Sequence, residues 1–206
     1  WKNRASKVLT IGYFVILSFI ALMFIYKMFE NSGNENIKIL EKTYYENYDV
    51  LIKNQVKQSV SMIDNIYKKY TAGGFSKDYA MKLSSDVLRE LRYGDKNDGY
   101  FWADTSEGLN IVLYGSKTEG TNRINLQDVN GLYLVKEIIK AGKQENGGFI
   151  DYYFPRQGET IAKKKRGFAL YYKDFDWIIG TGNYIDDIEN IIKTKFELID
   201  SLPEDG

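Results

Sequence analysis

The chain opens with a stretch that is apolar on every side. From Val8 to Tyr26, nineteen consecutive residues carry no charge, and about twenty such residues are needed to cross the hydrocarbon core of a bilayer. A cleaved signal peptide would have a shorter apolar run followed by small residues, whereas here Lys27 and Glu30 follow. A buried core helix is the alternative, but a helix apolar on every face would need a larger core than this chain provides. The pattern therefore predicts an uncleaved transmembrane helix.

The next pattern is that of one long amphipathic helix. After a short polar linker at residues 31–36, apolar and aromatic side chains recur every three or four residues from Ile37 to Tyr70. This spacing places them on one helical face. The sequence Thr71-Ala72-Gly73-Gly74 would end the helix, so one helix is predicted to lead from the anchor into the folded part of the chain.

Two further helices are predicted at the ends of the folded region. Ser76 can cap one that runs to about Tyr93, because a serine hydroxyl accepts a hydrogen bond from an N–H group of the first turn. The other begins at Ile185, where Asp186 and Asp187 suit the positive end of a helix. Because adjacent carboxylates do not share a helical face, capping is preferred here to a general acid–base pair.

The chain between these helices has the short apolar runs and turn residues of β-strands. Strands are predicted at residues 99–103, 109–114, 149–154, 164–172 and 177–184, with a short helix at 128–140. The strands follow one another almost consecutively, and the helices are grouped mostly before and after them. This order predicts an α+β fold with a five-stranded antiparallel sheet rather than a doubly wound parallel one.

Composition then narrows the chemistry. The 28 basic and 28 acidic side chains balance, so no overall field attracts nucleic acid and no nucleic-acid partner is expected. The chain has no cysteine and no histidine, which removes thiol nucleophiles, imidazole bases and nearly all zinc, copper and haem sites. We therefore expect no enzymatic activity, no catalytic residue, no metal and no cofactor.

Two segments are candidates for a binding pocket. Strand alternation puts Tyr100 and Trp102 on one face of the first strand, and rings of this kind suit an apolar pocket with a few polar groups. Ordinary core packing is the alternative, and it is the better interpretation for any single aromatic residue taken alone. The four cations at residues 163–166 also alternate as they enter a strand, so two face one side of the sheet and two the other.

Six sequence blocks occur in order along the chain. They are Leu91-Arg92-Tyr93-Gly94, Gly99-Tyr100-Phe101-Trp102, Glu119-Gly120-Thr121-Asn122-Arg123, Asp128-Val129-Asn130-Gly131, residues 147–155 and residues 177–188. In this order they resemble the single Cache domain family of bacterial receptors, over roughly Ile37 to Ile192. The resemblance implies a PAS-like antiparallel sheet behind a long helix that continues a transmembrane anchor. It also implies a small-molecule ligand, often a short carboxylate.

The resemblance implies a receptor that signals inward through its helices. The commonest type is a methyl-accepting chemotaxis protein, and a histidine kinase or a diguanylate cyclase is the alternative output. Three regions are expected: a cytoplasmic basic flank and anchor at 1–29, an extracytoplasmic sensor domain at 30–192 and an exit segment at 193–206. The cations that precede the apolar run predict a cytoplasmic N-terminus in a single-pass fragment. The long helix also suits a parallel homodimer.

The ligand-binding candidates come from the resemblance to the family and from one position where this chain departs from the family pattern. Tyr100 and Trp102 match the family's aromatic strand, and Lys165 falls where the family commonly has a lysine. The family often has His-Pro where this chain has Tyr114-Gly115, and Arg123 is a candidate replacement, because a guanidinium can hold a carboxylate with two hydrogen bonds. A solvated loop arginine is the alternative for Arg123. The full set is Tyr100, Trp102, Tyr114, Asn122, Arg123 and Lys165.

The missing His-Pro also supports a second hypothesis. The domain would then be a degenerate spacer or dimerisation element, or a contact surface for a binding protein. A sensing pocket should give ligand-dependent thermal stabilisation, whereas a spacer should not.

Overall fold

The computed structural model describes the backbone of residues 2–200 and the side chains of residues 18–28, 31, 35 and 37–198. The elements are α1 (Lys2–Ala72), α2 (Lys77–Glu90), β1 (Phe101–Thr105), β2 (Asn110–Leu113), α3 (Leu134–Gly142), β3 (Gly148–Pro155), β4 (Ala162–Tyr172), a 3-10 helix (Lys173–Phe175), β5 (Trp177–Tyr184) and α4 (Ile185–Asp200). The predicted α+β class, with helices at both ends of a five-stranded sheet, is confirmed.

Helix α1 continues through residues 31–36, so the prediction of a polar linker there is wrong. The stretch contains no proline, and its single glycine costs only about 1 kcal/mol relative to alanine, which does not end a helix. Contacts divide the chain into two compact units, Trp1–Tyr44 and Tyr45–Gly206. The second unit contains the sheet and the remaining helices.

The predicted membrane anchor at residues 8–26 falls within α1, but its side chains as far as Leu17 lie outside the described residues. No helix in the described part of the chain is both long enough and apolar enough to cross a membrane. The anchor therefore stays a prediction.

The five strands form one antiparallel sheet in the order β2-β1-β5-β4-β3. Strand β5 lies at the centre, and seven of its eight residues are buried, as expected for a strand that is covered on both faces. The observed strands lie within about two residues of the predicted ones, a usual difference at element ends. The sheet therefore has two apolar faces, and different helices pack against each of them.

One face of the sheet packs against α1 and α2. Phe101 and Ala103 of β1 lie in this core with Ile63 of α1 and Leu88 of α2. Ser76 caps α2 as predicted, since its hydroxyl accepts a hydrogen bond from the Tyr79 backbone N–H at 3.2 Å. The buried residues of α2 are Ala80, Ser84 and Leu88, whereas the Tyr79 side chain is exposed.

The other face packs against α3, which begins six residues later than predicted, at Leu134. Residues 128–133 form a loop instead of the first turns of a helix. The Asp128 carboxylate accepts hydrogen bonds from the backbone N–H groups of Asn130 and Leu132, and Gly131 has φ +81°. An aspartate that binds its own following backbone favours a turn over a helix.

Asp128 also fixes this loop to the edge of the sheet, because it accepts a hydrogen bond from the Tyr153 N–H at 3.0 Å. Burial opposes ionisation, but the three backbone N–H groups outweigh it and lower the pKa of Asp128 below 3.8. The stabilisation is therefore present above the unfolded-state pKa and is lost as the pH falls through the lower folded-state pKa.

Replacing Asp128 with alanine is expected to lower the free energy of unfolding by about 2 kcal/mol at pH 7, the range for hydrogen bonds to a charged group. The deficit should shrink below about pH 4. Urea denaturation at several pH values measures both effects. Asn130→Ala is the matched control because the backbone N–H remains. An equal loss in both variants would contradict this role of the carboxylate.

Candidate functional site

A small cavity lies between the second face of the sheet, α3 and the segment that carries Arg123. It is lined by Tyr100, Trp102, Leu113, Arg123, Leu134, Ile138, Tyr152 and Phe154, and its volume is about 10 Å³. We call it the inner cavity. This volume accommodates roughly one water molecule. The lining is aromatic and aliphatic apart from one guanidinium.

Glycine in β5 allows Trp102 to lie close to the sheet. Trp102 is paired with Gly180 in the β1–β5 register, and a Cβ atom at Gly180 would lie 2.5 Å from the indole ring. No real Cβ approaches that closely, so Gly180 leaves room for the ring. The indole N–H of Trp102 is buried and has no hydrogen-bond partner. An unpaired buried donor is costly, and here it belongs to a residue that lines the inner cavity.

Lys165 is a buried cation beside the inner cavity. Only 1% of its surface is exposed, whereas the side chains of Lys163 and Lys164 are 39% and 47% exposed. The Lys165 ammonium donates a hydrogen bond to the Tyr100 hydroxyl at 2.8 Å. It also lies 4.1 Å from the ring centre of Tyr100. Of the two cations that alternation places on this face of β4, Lys163 and Lys165, Lys165 is the buried one.

Two more rings surround this ammonium. Its nitrogen lies 4.8 Å from the ring centre of Tyr184 and 5.5 Å from that of Trp102. Among the described residues, Lys165 forms no ion pair, so aromatic faces and one hydroxyl are its partners there. Cation–π contacts stabilise a buried cation only in part, and buried charges are normally paired. The site therefore has a positive charge that is not offset by a carboxylate.

The ammonium changes the acidity of the adjacent tyrosine. Burial on its own would raise the pKa of Tyr100, but the charge and hydrogen bond of Lys165 outweigh burial and lower that pKa below 10.0. The Tyr184 hydroxyl instead donates to the Pro155 carbonyl at 2.8 Å. Burial and the neighbouring Tyr100 raise its pKa. The positive charge of Lys165 therefore acts on the Tyr100 hydroxyl and makes it more acidic.

Arg123 is buried, not a solvated loop residue, and it is already bound to a carboxylate. Its Nη2 donates to both Asp104 oxygens at 2.7 and 2.6 Å, and its Nε donates to one of them at 3.1 Å. Asp104 is fully buried. The Asn110 side chain donates a further hydrogen bond to Asp104 at 3.1 Å. The guanidinium was predicted to bind the carboxylate of a ligand, but in the structure it binds the carboxylate of Asp104.

The two other predicted residues lie away from the inner cavity. Tyr114 is 37% exposed, and the Arg92 guanidinium stacks 3.4 Å from its ring centre. Its ring lies 6.4 Å from that of Tyr100, at the rim of the site. Asn122 braces the loop, since its side chain donates to the Glu107 carbonyl and accepts from the Ile124 N–H, both at 2.9 Å. The structure thus brings together Tyr100, Trp102, Arg123 and Lys165, and the ligand role of all six remains a prediction.

The sequence interpretation missed several residues of the site. Tyr152 of β3 pairs with Lys165 in the β3–β4 register, and Tyr184 of β5 pairs with it on the other side. Alternation within the predicted strands would have placed both near Lys165 once the register was known. Asp104 carried no comparable signal, because an acidic residue at the end of a strand more often lies in a turn.

A larger groove lies outside the inner cavity. Its volume is about 390 Å³, and it is lined by Asn97, Asp98, Gly99, Tyr100, Tyr114, Arg156, Gln157, Gly182, Asn183, Tyr184 and Asp187. We call it the outer groove. Tyr100 lines both the groove and the inner cavity.

The sequence matches known proteins across most of its length. The profile of the family described as Single Cache domain 2 matches residues 33–196. The methyl-accepting chemotaxis protein McpP of Pseudomonas putida is 28% identical over 120 residues, which are 57% of this chain and 22% of McpP. The sensor histidine kinase MctS of Rhizobium johnstonii is 28% identical over 176 residues, which are 84% of this chain and 37% of MctS. The chain therefore spans about a fifth to two fifths of the length of these curated relatives.

Solved structures share the fold. A methyl-accepting chemotaxis protein from Vibrio parahaemolyticus is 25% identical with a TM-score of 0.64, and the match covers 74% of this chain and 99% of that one. A structure described as the basis for carboxylic acid recognition by a Cache chemosensory domain is 22% identical with a TM-score of 0.59, covering 68% and 97% of the two chains. The predicted PAS-like architecture is confirmed by these matches.

Proposed function

This chain belongs to the single Cache domain 2 family, the sensor domains of chemotaxis receptors and sensor kinases, and we propose that it binds a small carboxylate at Lys165. The main observation in support of this proposal is the buried Lys165 ammonium, which has no counter-charge among the described residues. A carboxylate is the group that would offset this charge with a strong hydrogen bond. The Cache structure described for carboxylic acid recognition supports the same ligand class.

The ligand would enter from the outer groove. The inner cavity, at about 10 Å³, is too small for a carboxylic acid while Tyr100 lies beside Lys165. Rotation of the Tyr100 ring would expose the ammonium and join the two spaces that this ring separates. The carboxylate would then replace the Tyr100 hydroxyl as the hydrogen-bond partner of Lys165, and the unpaired Trp102 N–H would be a second donor.

A bound ligand would bias the helices. Tyr184 lies 4.8 Å from the Lys165 ammonium and is the last residue of β5, directly before α4. Movement of Tyr100 against Tyr184 would therefore reach the start of that helix. Signalling requires different ligand affinities in two helix arrangements, because a ligand that binds both equally shifts neither. The output would be a chemotaxis module, with a kinase or cyclase as the alternative.

The receptor would be a homodimer in a bacterial membrane, with this domain outside and the N-terminus in the cytoplasm. The apolar residues 19–26 support an anchor, since seven of these eight side chains are large, apolar and about half exposed or more. Exposed apolar surface of this kind indicates contact with lipid or protein.

A spacer domain that binds no metabolite is the second candidate, and the observation in its favour is the small volume of the inner cavity. Thermal unfolding of the detergent-solubilised chain with and without small carboxylates separates the two. Ligand at a hundred times its dissociation constant adds about 2.7 kcal/mol of stability. Stabilisation by one or more acids supports the sensor, and a well-folded chain that no carboxylate stabilises supports the spacer.

A further inference from the structure

Three charged side chains are buried in the part of the chain that the structure describes: Asp104, Arg123 and Lys165, which are 0%, 7% and 1% exposed. Arg123 lines the inner cavity, and Asp104 binds its guanidinium from behind. Lys165 contacts Tyr100 and Trp102, which line the same cavity. Two positive charges and one negative charge give this site a net charge of one positive unit.

We propose that this charge balance makes the site selective for monocarboxylates over dicarboxylates, with Asp104 as the residue that sets the selectivity. The inference rests on the carboxylate-binding function proposed above and adds the charge of the ligand. A monocarboxylate carries the single negative charge that matches the site. A dicarboxylate carries one negative charge more than the site offsets.

The geometry around Arg123 explains why the second carboxylate of a diacid finds no positive charge that is not already offset. Both Nε and Nη2 of Arg123 are bound to Asp104 at 2.6–3.1 Å, which leaves only Nη1 for a ligand. To use the guanidinium charge that Asp104 already neutralises, a diacid would have to displace Asp104 from this pair and leave it buried without a counter-charge. Such an uncompensated buried charge is strongly unfavourable.

Asp104 cannot move aside to relieve this conflict. Its side chain is fully buried, and the Asn110 amide holds one of its oxygens at 3.1 Å. The Asn110 amide is itself fixed to the Ala103 and Val112 carbonyls at 3.2 and 3.1 Å. The negative charge is therefore fixed directly behind Arg123. Apart from Arg123, two tyrosines and Trp102, the lining of the inner cavity is aliphatic or phenyl and suits a short hydrocarbon chain.

The test compares propionate with malonate, which have three carbons each and differ in charge. Titration calorimetry of the detergent-solubilised full chain is expected to give at least tenfold tighter binding of propionate. Asp104→Asn frees Arg123 and gives the site two positive charges, so the preference for propionate should fall at least tenfold. The double variant Asp104→Asn/Arg123→Gln returns the net charge to one positive unit and should restore the preference. Asp174→Asn, an exposed site, is the control and should keep the wild-type ratio.

Each result decides between separate claims. Equal binding of propionate and malonate to the wild type overturns the selectivity and leaves the carboxylate sensor standing. Binding of neither acid, nor of any other carboxylate, overturns the proposed function itself. A folded Asp104→Asn variant with an unchanged ratio overturns the role of Asp104. If Asp104→Asn does not fold, the wild-type ratio together with that of the double variant decides the proposal.

Discussion

Replacing Lys165 with methionine is expected to remove carboxylate binding while the ligand-free domain stays at least as stable as the wild type. Loss of one partner of a buried, hydrogen-bonded charge pair costs about 2–5 kcal/mol of binding free energy, and about 3 kcal/mol is more than a hundredfold in affinity. The ligand-free domain should not suffer, because Lys165 forms no ion pair among the described residues and methionine fills a similar volume without a charge. Titration calorimetry measures the affinity, and thermal unfolding without ligand measures the stability.

Lys164→Met is the matched control for this experiment. Lys164 precedes Lys165 on β4, its side chain is 47% exposed, and it pairs with Asp151 at 3.5 Å. The same chemical change on the opposite face should leave ligand affinity as it is. If Lys165→Met binds carboxylates as tightly as Lys164→Met does, Lys165 is not the ligand partner, and the anion site must be sought elsewhere.

Much of the fold could be predicted because the relevant signals are local. The bounds of β5 agree with the prediction, since a run of apolar residues from Trp177 is buried on both faces of the sheet. The Ser76 cap of α2 was also readable, because capping requires one hydroxyl next to the first turn. Period-two alternation placed Trp102 opposite Phe101 correctly, and these two rings lie in different cores.

The misplaced start of α3 also has a local cause. Residues 128–133 contain apolar side chains at helical spacing, and periodicity alone favoured a helix. The Asp128 carboxylate competes for the backbone N–H groups that a helix would use, and one of its bonds reaches Tyr153, twenty-five residues away. That long-range bond depends on β3 lying beside the loop, which the sequence does not state.

The candidate site was only partly predictable for the same reason. Alternation left Lys163 and Lys165 equivalent, since both face the same side of β4. Cross-strand neighbours distinguish them: Lys165 lies between Tyr152 and Tyr184, whereas Lys163 lies near the strand end and pairs with Asp186.

Arg123 was expected to bind a ligand because its partner could not be identified from the sequence. Asp104 lies nineteen residues earlier, at the end of β1. The two meet only because the Asn110–Leu113 strand folds back on β1 and the following loop returns over the cavity. Burial of both residues follows from this tertiary arrangement and not from local pattern.

Replacing Arg123 with alanine is expected to lower the free energy of unfolding by about 3–5 kcal/mol at neutral pH, the usual cost of breaking a buried ion pair on one side. Asp104 would be left fully buried without its counter-charge. Burial already raises the pKa of Asp104 above 3.8 against the opposing effect of Arg123, and loss of Arg123 should raise it further. Urea denaturation, with unfolding followed by circular dichroism, measures the loss.

The pH dependence identifies the cause of this loss. A carboxyl whose pKa is raised on folding destabilises the folded state least below its unfolded-state pKa, and the penalty grows as the pH rises towards its folded-state pKa. The deficit of Arg123→Ala should therefore be larger at pH 7 than at pH 4.5. In the double variant Asp104→Asn/Arg123→Ala the loss of stability should be well below the sum of the losses in Asp104→Asn and Arg123→Ala, with a coupling of about 2 kcal/mol, since neighbours that share one interaction are not additive. Additive losses with no pH dependence would mean that the pair does not act through its charges, and would remove the electrostatic basis for the selectivity proposed at Asp104.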